Sequence, residues 1–171
     1  EGVLFLLTAD SLAGVLPTIR SRCISFAVAP VSPEDCARYC TAQGVGAKDA
    51  ALYSALFDGH IGTVLAAARD EARREQVDRA LALAKAAAAR DSYAAAVLLA
   101  AYEKDKAGAS ALLADFRAVA AAGLRDSSHS PVEGETARKA LGAADAAMQQ
   151  ISAQVNPKIV LSVLAAKFRT F

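Results

Sequence analysis

The sequence contains no Gly-x-x-x-x-Gly-Lys-Ser/Thr phosphate loop, so residues 1–171 lack the backbone cradle with which nucleotide motors hold their own phosphates. Charge of one sign is also lacking. The formal net charge is +1, from 19 basic and 18 acidic residues, which argues against a dedicated nucleic-acid surface and leaves room only for a local patch. There are two histidines, His60 in a glycine turn and His129 in a polar loop, and both are expected to face solvent. No hydrolase triad, paired-carboxylate site or metal cluster emerges from the spacing of titratable residues. No apolar run approaches the length of a membrane span, and Glu1-Gly2 lacks the basic start of a signal peptide, so the chain reads as cytoplasmic.

Cysteine is scarce as well. Cys36 and Cys40 stand four apart on an expected helix, a spacing that could place two thiolates on one metal. No third and fourth ligand follow at a familiar spacing, and small buried apolar groups are the plainer reading. Cys23 leads into an expected strand and is read as buried, with no histidine nearby in sequence to activate it.

What is present is hydrophobic mass: 54% of 171 residues, enough for a sizeable core in one or two domains. Val3 to Leu7 is a continuous apolar run of strand length, suited to a strand covered on both faces. Pro17 presets the first turn of a short helix, and Ile24, Phe26 and Val28 alternate as a second strand closed by Pro30. Between the two lies Leu16-Pro17-Thr18-Ile19-Arg20-Ser21-Arg22-Cys23.

That segment resembles the Ser-Arg-Cys motif of the AAA+ clamp-loader subunits of bacterial DNA polymerase III. Phe5-Leu6-Leu7-Thr8 resembles the family's sensor-1 strand, Gly59-His60-Ile61-Gly62 its lid motif, and Asn156-Pro157-Lys158 the start of its last helix. The matches fall in the family's order along the whole chain. The resemblance implies a mainly α chain in three parts: remnant strands of a nucleotide-binding domain at 1–28, a three-helix lid at 29–72, and an all-helical collar at 73–171 that joins subunits in a ring. Motor subunits usually carry a sensor-2 arginine where this chain has Gly62, which points to the branch that does not hydrolyse ATP. With no phosphate loop and a first residue that is not Met, the chain is expected to be a C-terminal fragment. The family's central strand would lie upstream, so residues 1–28 are expected to refold, pair with another molecule or pack irregularly.

The resemblance also assigns chemistry. Arg22 would be an arginine finger acting in trans, a planar permanent cation set against the charge that spreads over γ-phosphate oxygens during phosphoryl transfer. The alternative is that Arg22 ends a short helix and meets its carbonyls. Arg20, two residues away on that helix, is the natural control. Ser21 and Cys23 would shape the loop, Thr8 would occupy the sensor-1 position, and Gly59 and Gly62 would form the lid turn. No cofactor or metal is expected in this chain; ATP and magnesium would sit in the neighbouring subunit. The implied partners are the other clamp-loader subunits (gamma/tau and delta), with the sliding clamp and primer-template DNA met through the whole complex and no membrane. The chain would be no enzyme by itself but part of a DNA polymerase holoenzyme. Two other readings are a motor subunit lacking its nucleotide-binding half and a helical interaction module unrelated to replication.

The remaining pattern is helical. Ser32 is an N-cap with Pro33 at the first position, and this helix is expected to run to about Gln43 before Gly44 and Gly46. A second runs from about Lys48 to Asp58 with Leu52, Ala55 and Leu56 inward and Gly59 as its stop, and a third from Ile61 buries Val64, Leu65 and Ala68. The charged run Arg69–Asp78 marks a joint within or beside a long helix, or only a solvated helix face. Ser92 is read as the cap of a helix bearing Leu98, Leu99 and Tyr102, and Leu112, Leu113, Phe116 and Val119 form one stripe of a helix ending near Arg125. After the polar loop 126–131, Ala137, Leu141, Ala144, Met148, Ile151 and Val155 repeat at four and three, a heptad seam more suited to an intradomain contact than to an intermolecular coiled coil. Asn156 caps a last helix carrying Val160, Leu164 and Phe168.

Overall fold

The computed structural model describes residues 2–9, 11–29 and 31–171. These residues are mainly helical, and no strand forms among them. The chain divides into two units, one up to residue 30 and the other from Val31 to Phe171.

The first unit holds a 3-10 turn at Leu12–Gly14 and one turn of helix, α1, at Pro17–Arg20. The strands expected at 3–7 and 24–28 are absent: both segments are irregular, and Val3, Leu4, Phe5, Leu6, Ile24, Phe26 and Val28 are all exposed. A strand must pair its N–H and C=O groups with a neighbour, and among the described residues no such neighbour exists. Apolar composition alone therefore leaves these segments open.

The second unit contains α2 (Pro33–Ala42), α3 (Ala47–Leu56), α4 (Ile61–Arg69), α5 (Glu71–Ala88), α6 (Ser92–Ala100), α7 (Lys106–Arg125), α8 (Gly134–Ser152) and α9 (Pro157–Lys167), closed by a 3-10 turn at Phe168–Thr170. Their starts follow local sequence. Ser32 Oγ accepts from the Asp35 N–H at 3.1 Å, and Asn156 Oδ1 from Lys158 N–H at 2.9 Å, each ahead of a proline at the first helical position. Asp70, Asp91 and Asp105 cap α5, α6 and α7 in the same way. The cap of α6 is thus Asp91, not Ser92: its carboxylate accepts from both Tyr93 and Ala94, which a hydroxyl at 92 is not placed to do.

Helix ends are less legible. Four helices close with the backbone pattern in which the second residue past the cap bonds back to the last turn: Val45 to Cys40, Gly59 to Ser54, Asp91 to Ala86 and Val155 to Gln150. Only at Gly44 is the left-handed residue a glycine; elsewhere Asp58, Arg90 and Gln154 take positive φ. Gly59 is consequently not the stop itself but the residue after it.

The core runs through α7, whose Leu112, Leu113, Phe116 and Val119 are buried as the stripe predicts. By length and composition α7 could cross a membrane, yet half of that stretch is buried against other helices. Phe116 stacks on Phe168 at 5.8 Å, and Phe168 meets Phe171 at 4.9 Å. The heptad seam of α8 packs within the chain, mainly on α7. Ala137, Ala144 and Ile151 are buried, Leu141 and Met148 partly so, and Val155 lies beyond the helix and is exposed. Buried alanines on α5, α7 and α8 replace bulk with close helix approach. In α3 the buried positions are Ala50, Tyr53, Ser54 and Leu56, so the inward face is rotated from the expected one and Leu52 and Ala55 sit at its margin.

Candidate functional site

Pro17 opens α1 with its φ already helical, after Leu16, whose side chain can offer no cap. One turn later the helix unwinds. Ser21 N–H reaches the Pro17 carbonyl at 3.0 Å and Ser21 Oγ donates to the Thr18 carbonyl at 3.2 Å, so both polar groups of the serine are spent closing the turn. Arg22 N–H then bonds to the Ile19 carbonyl at 3.0 Å, which puts the arginine just past the helix end.

The Arg22 side chain is exposed, and among the described residues no carboxylate lies within ion-pairing distance of it. Its backbone, not its guanidinium, meets the helix carbonyls. Arg20 lines a shallow open depression with Pro17, Ser21 and Ser25, and Arg22 is not among these residues. Cys23 is exposed, contrary to the expected burial, because the strand that was to carry it inward does not form. Thr8 is exposed in the irregular stretch before the 3-10 turn.

The lid glycines differ from each other. Gly59 has φ +75°, and a Cβ there would collide with the Val31 carbonyl oxygen, so this glycine is demanded by conformation and by space. Gly62 is the second residue of α4 and exposed, and a Cβ there would have nothing within 4 Å of it. His60 is exposed at the start of α4, and His129 is half-buried, its Nδ1 3.6 Å from Asp126 Oδ2.

Cys36 and Cys40 are fully buried on α2. Burial and then the neighbouring Cys36 push the Cys40 thiol above its usual value, which disfavours the thiolate a metal or a reaction needs. Among the described residues no group of three or more His, Cys, Asp and Glu is placed to hold a metal ion.

Polar groups that the pattern missed lie on α5 and α7. Asp115 is buried on α7, and Arg73 reaches it with both terminal nitrogens while lying 5.4 Å over the Phe57 ring. Hydrogen bonding to Asp115 holds the Arg73 guanidinium further toward its charged form. Arg125, at the end of α7, donates to the Ala55 carbonyl at 3.0 Å and stands 3.5 Å from Asp58. The charged run 69–78 is therefore more than a solvated face: one of its arginines is a core ligand. The signal available in the sequence was a carboxylate on an otherwise apolar stripe. Compared with family models, curated proteins and solved structures, the chain matches none.

Proposed function

We propose that this chain is a clamp-loader subunit of bacterial DNA polymerase III, of the delta-prime type, whose Arg22 completes the ATP site of a neighbouring motor subunit. The observation that carries the reading is the turn at Leu16–Cys23, where Ser21 spends its hydrogen bonds on the helix end and leaves Arg22 exposed, with no carboxylate partner among the described residues. A cation that is to serve another molecule's phosphates must be free in its own chain. In this reading α5–α9 act as the collar that holds gamma/tau and delta subunits, Gly62 stands where a motor would carry a nucleotide-sensing arginine, and ATP and magnesium belong to the neighbour.

The test is DNA-stimulated ATP hydrolysis by the reassembled complex carrying Arg22→Ala, with Arg20→Ala as control. The expected result is a loss on the order of 10³ or more at the served site for Arg22→Ala and little change for Arg20→Ala. Unchanged turnover rejects the finger. A phosphate loop upstream of residue 1 would turn the reading toward a motor subunit.

A second reading, a helical interaction module, draws on a different observation: residues 31–171 form a helical unit with its own buried core. Failure of the protein to co-elute with gamma/tau and delta subunits in size-exclusion chromatography favours it.

A further inference from the structure

The net charge of +1 conceals an uneven distribution. α6 and α9 pack side by side, and the ion pair of Glu103 with Lys158 at 3.3 Å sets the residues just past the end of α6 against the first turn of α9. Two packed helices joined in this way run antiparallel, so the start of α6 lies at the level where α9 finishes. The 3-10 turn Phe168–Thr170 that follows α9 packs on both α5 and α6, and Lys139 of α8 donates to the Thr170 carbonyl at 3.0 Å. One end of the helical unit therefore gathers the end of α5, the start of α6, the end of α9 and the first half of α8.

The cations at this end are Lys85 and Arg90 from α5 and the residues after it, Lys139 on α8, and Lys167 and Arg169 around the end of α9; all are exposed. Lys139 lies 3.9 Å from Glu135, while Lys85, Arg90, Lys167 and Arg169 make no ion pair among the described residues. Most nearby acids are engaged. Asp91 caps α6, accepting from the Tyr93 and Ala94 N–H groups, and Glu135 is held by Arg138 at 2.6 Å. Glu103 and Asp105 lie past the opposite end of α6, the first on Lys158 and the second capping α7. Asp78, two turns before Lys85, and Glu133, ahead of α8, are exposed and are the remaining carboxylates on these elements near the patch. The local balance stays positive. An aromatic side chain stands with the cations: Tyr93, one turn past Arg90, is 79% exposed.

Unpaired cations beside an exposed ring fit one class of ligand. Guanidinium groups fork onto phosphate oxygens, lysines add point charges, and a solvent-facing aromatic stacks on an unpaired base. A duplex keeps its base faces stacked inside, so Tyr93 has nothing to meet on one. An acidic peptide answers the charge but offers no flat partner to the ring. A bilayer surface calls for a broad apolar patch rimmed by cations, whereas here a single aromatic stands at their level. We infer that this end of the helical unit binds a single strand of nucleic acid, with Lys85, Arg90, Lys167 and Arg169 on successive phosphates and Tyr93 against a base. The inference stands on this patch alone and does not require the clamp-loader reading.

The experiment measures fluorescence anisotropy of a labelled oligothymidylate of about fifteen nucleotides, titrated with the whole chain over a series of salt concentrations. Saturable binding is expected, with log K falling against log salt at a slope of about −3, from four phosphates at about −0.7 each. The double variant Arg90→Glu, Arg169→Glu is expected to weaken binding by about tenfold or more, and Tyr93→Ala by about fivefold or more. All three positions are exposed, and native circular dichroism checks each variant. Lys48→Glu, Lys104→Glu makes the same charge change on α3 and past the opposite end of α6, and is expected to leave binding within about twofold. Absence of binding at low salt overturns the proposal, as does indifference to Tyr93→Ala or an equal loss in the Lys48, Lys104 variant. Equally tight binding of a polyglutamate peptide overturns it in favour of an acidic protein segment. Displacement of the oligonucleotide by anionic phosphatidylglycerol vesicles overturns it in favour of a lipid surface.

Discussion

Arg73 of α5 forks onto the buried carboxylate of Asp115 in α7, 42 residues away, with Nη2 2.7 Å from Oδ1 and the guanidinium over the Phe57 ring. The pair joins α5, whose first turns carry the charged run, to α7 in the core and to Phe57 at the end of α3. Arg125 also holds the end of α3, through the Ala55 carbonyl and Asp58. Residues 31–171 are held together across their middle by these two arginines as well as by apolar packing.

Removing one partner of the fork leaves the other charge stranded. Asp115→Ala is expected to cost about 2–4 kcal/mol, set below the full value for a buried pair because Arg73 retains some exposure. Urea denaturation followed by circular dichroism measures it. The double change Arg73→Met, Asp115→Leu is expected to recover most of the loss, since no uncompensated charge remains.

The two lid glycines are expected to respond oppositely to the same substitution. Gly59→Ala forces a Cβ against the Val31 carbonyl at a positive φ and is expected to destabilise by more than about 1 kcal/mol. Gly62→Ala enters open space near a helix start and is expected to be neutral or to stabilise by up to about 1 kcal/mol. Thermal melts of the two variants beside the parent check the contrast.

Thiol titration separates the cysteines. In native protein Cys23 alone is exposed and is expected to react promptly with a chromogenic disulfide reagent, whereas Cys36 and Cys40 react only on unfolding. One fast equivalent in buffer and three in denaturant is the expected count. Rapid native reaction of all three thiols contradicts the buried environment of α2.

Acid is expected to weaken the fold around the start of α8. The Ser128 N–H, then its hydroxyl and His129, hold Asp126 below its usual 3.8, and the Arg138 hydrogen bond holds Glu135 below its usual 4.5. Carboxylates depressed in the folded state contribute stability that is present above their unfolded values and lost as pH falls through the folded ones. The urea midpoint is expected to drop below about pH 4.5, with Asp126→Asn, Glu135→Gln showing a shallower drop. Both groups are exposed, so the difference is small. Equal acid slopes in parent and double variant refute the assignment.

Local signals carried most of the helical layout. Ser32-Pro33 and Asn156-Pro157 start helices where the pattern places them, and the stripes of α7 and α9 are buried as read, because capping and 3.6-residue periodicity act within a turn or two. The misread strands have a plain cause. The apolar runs at 3–7 and 24–28 have strand composition, but a strand exists only with a partner's backbone beside it. Without one, Cys23 is exposed, and the backbone hydrogen bonds that hold Arg22 among the described residues are those of the Pro17–Cys23 turn. Gly59 was a visible turn signal, but the turn takes two left-handed residues, Asp58 and then Gly59, and the close approach to Val31 requires glycine only at 59.

The amino-acid sequence by itself located α2 to α4 and α6 to α9 and the buried faces of α7, α8 and α9, since these follow from interactions between residues a few positions apart; α5 was legible only as a charged run. Only the tertiary structure decided that Arg73 belongs to Asp115, that α6 leaves Tyr93 and Val97 in solvent, and that among the described residues the segment bearing Arg22 stands without a sheet. Each of these depends on which distant groups meet, and a contact 42 residues away leaves no periodic trace in the chain.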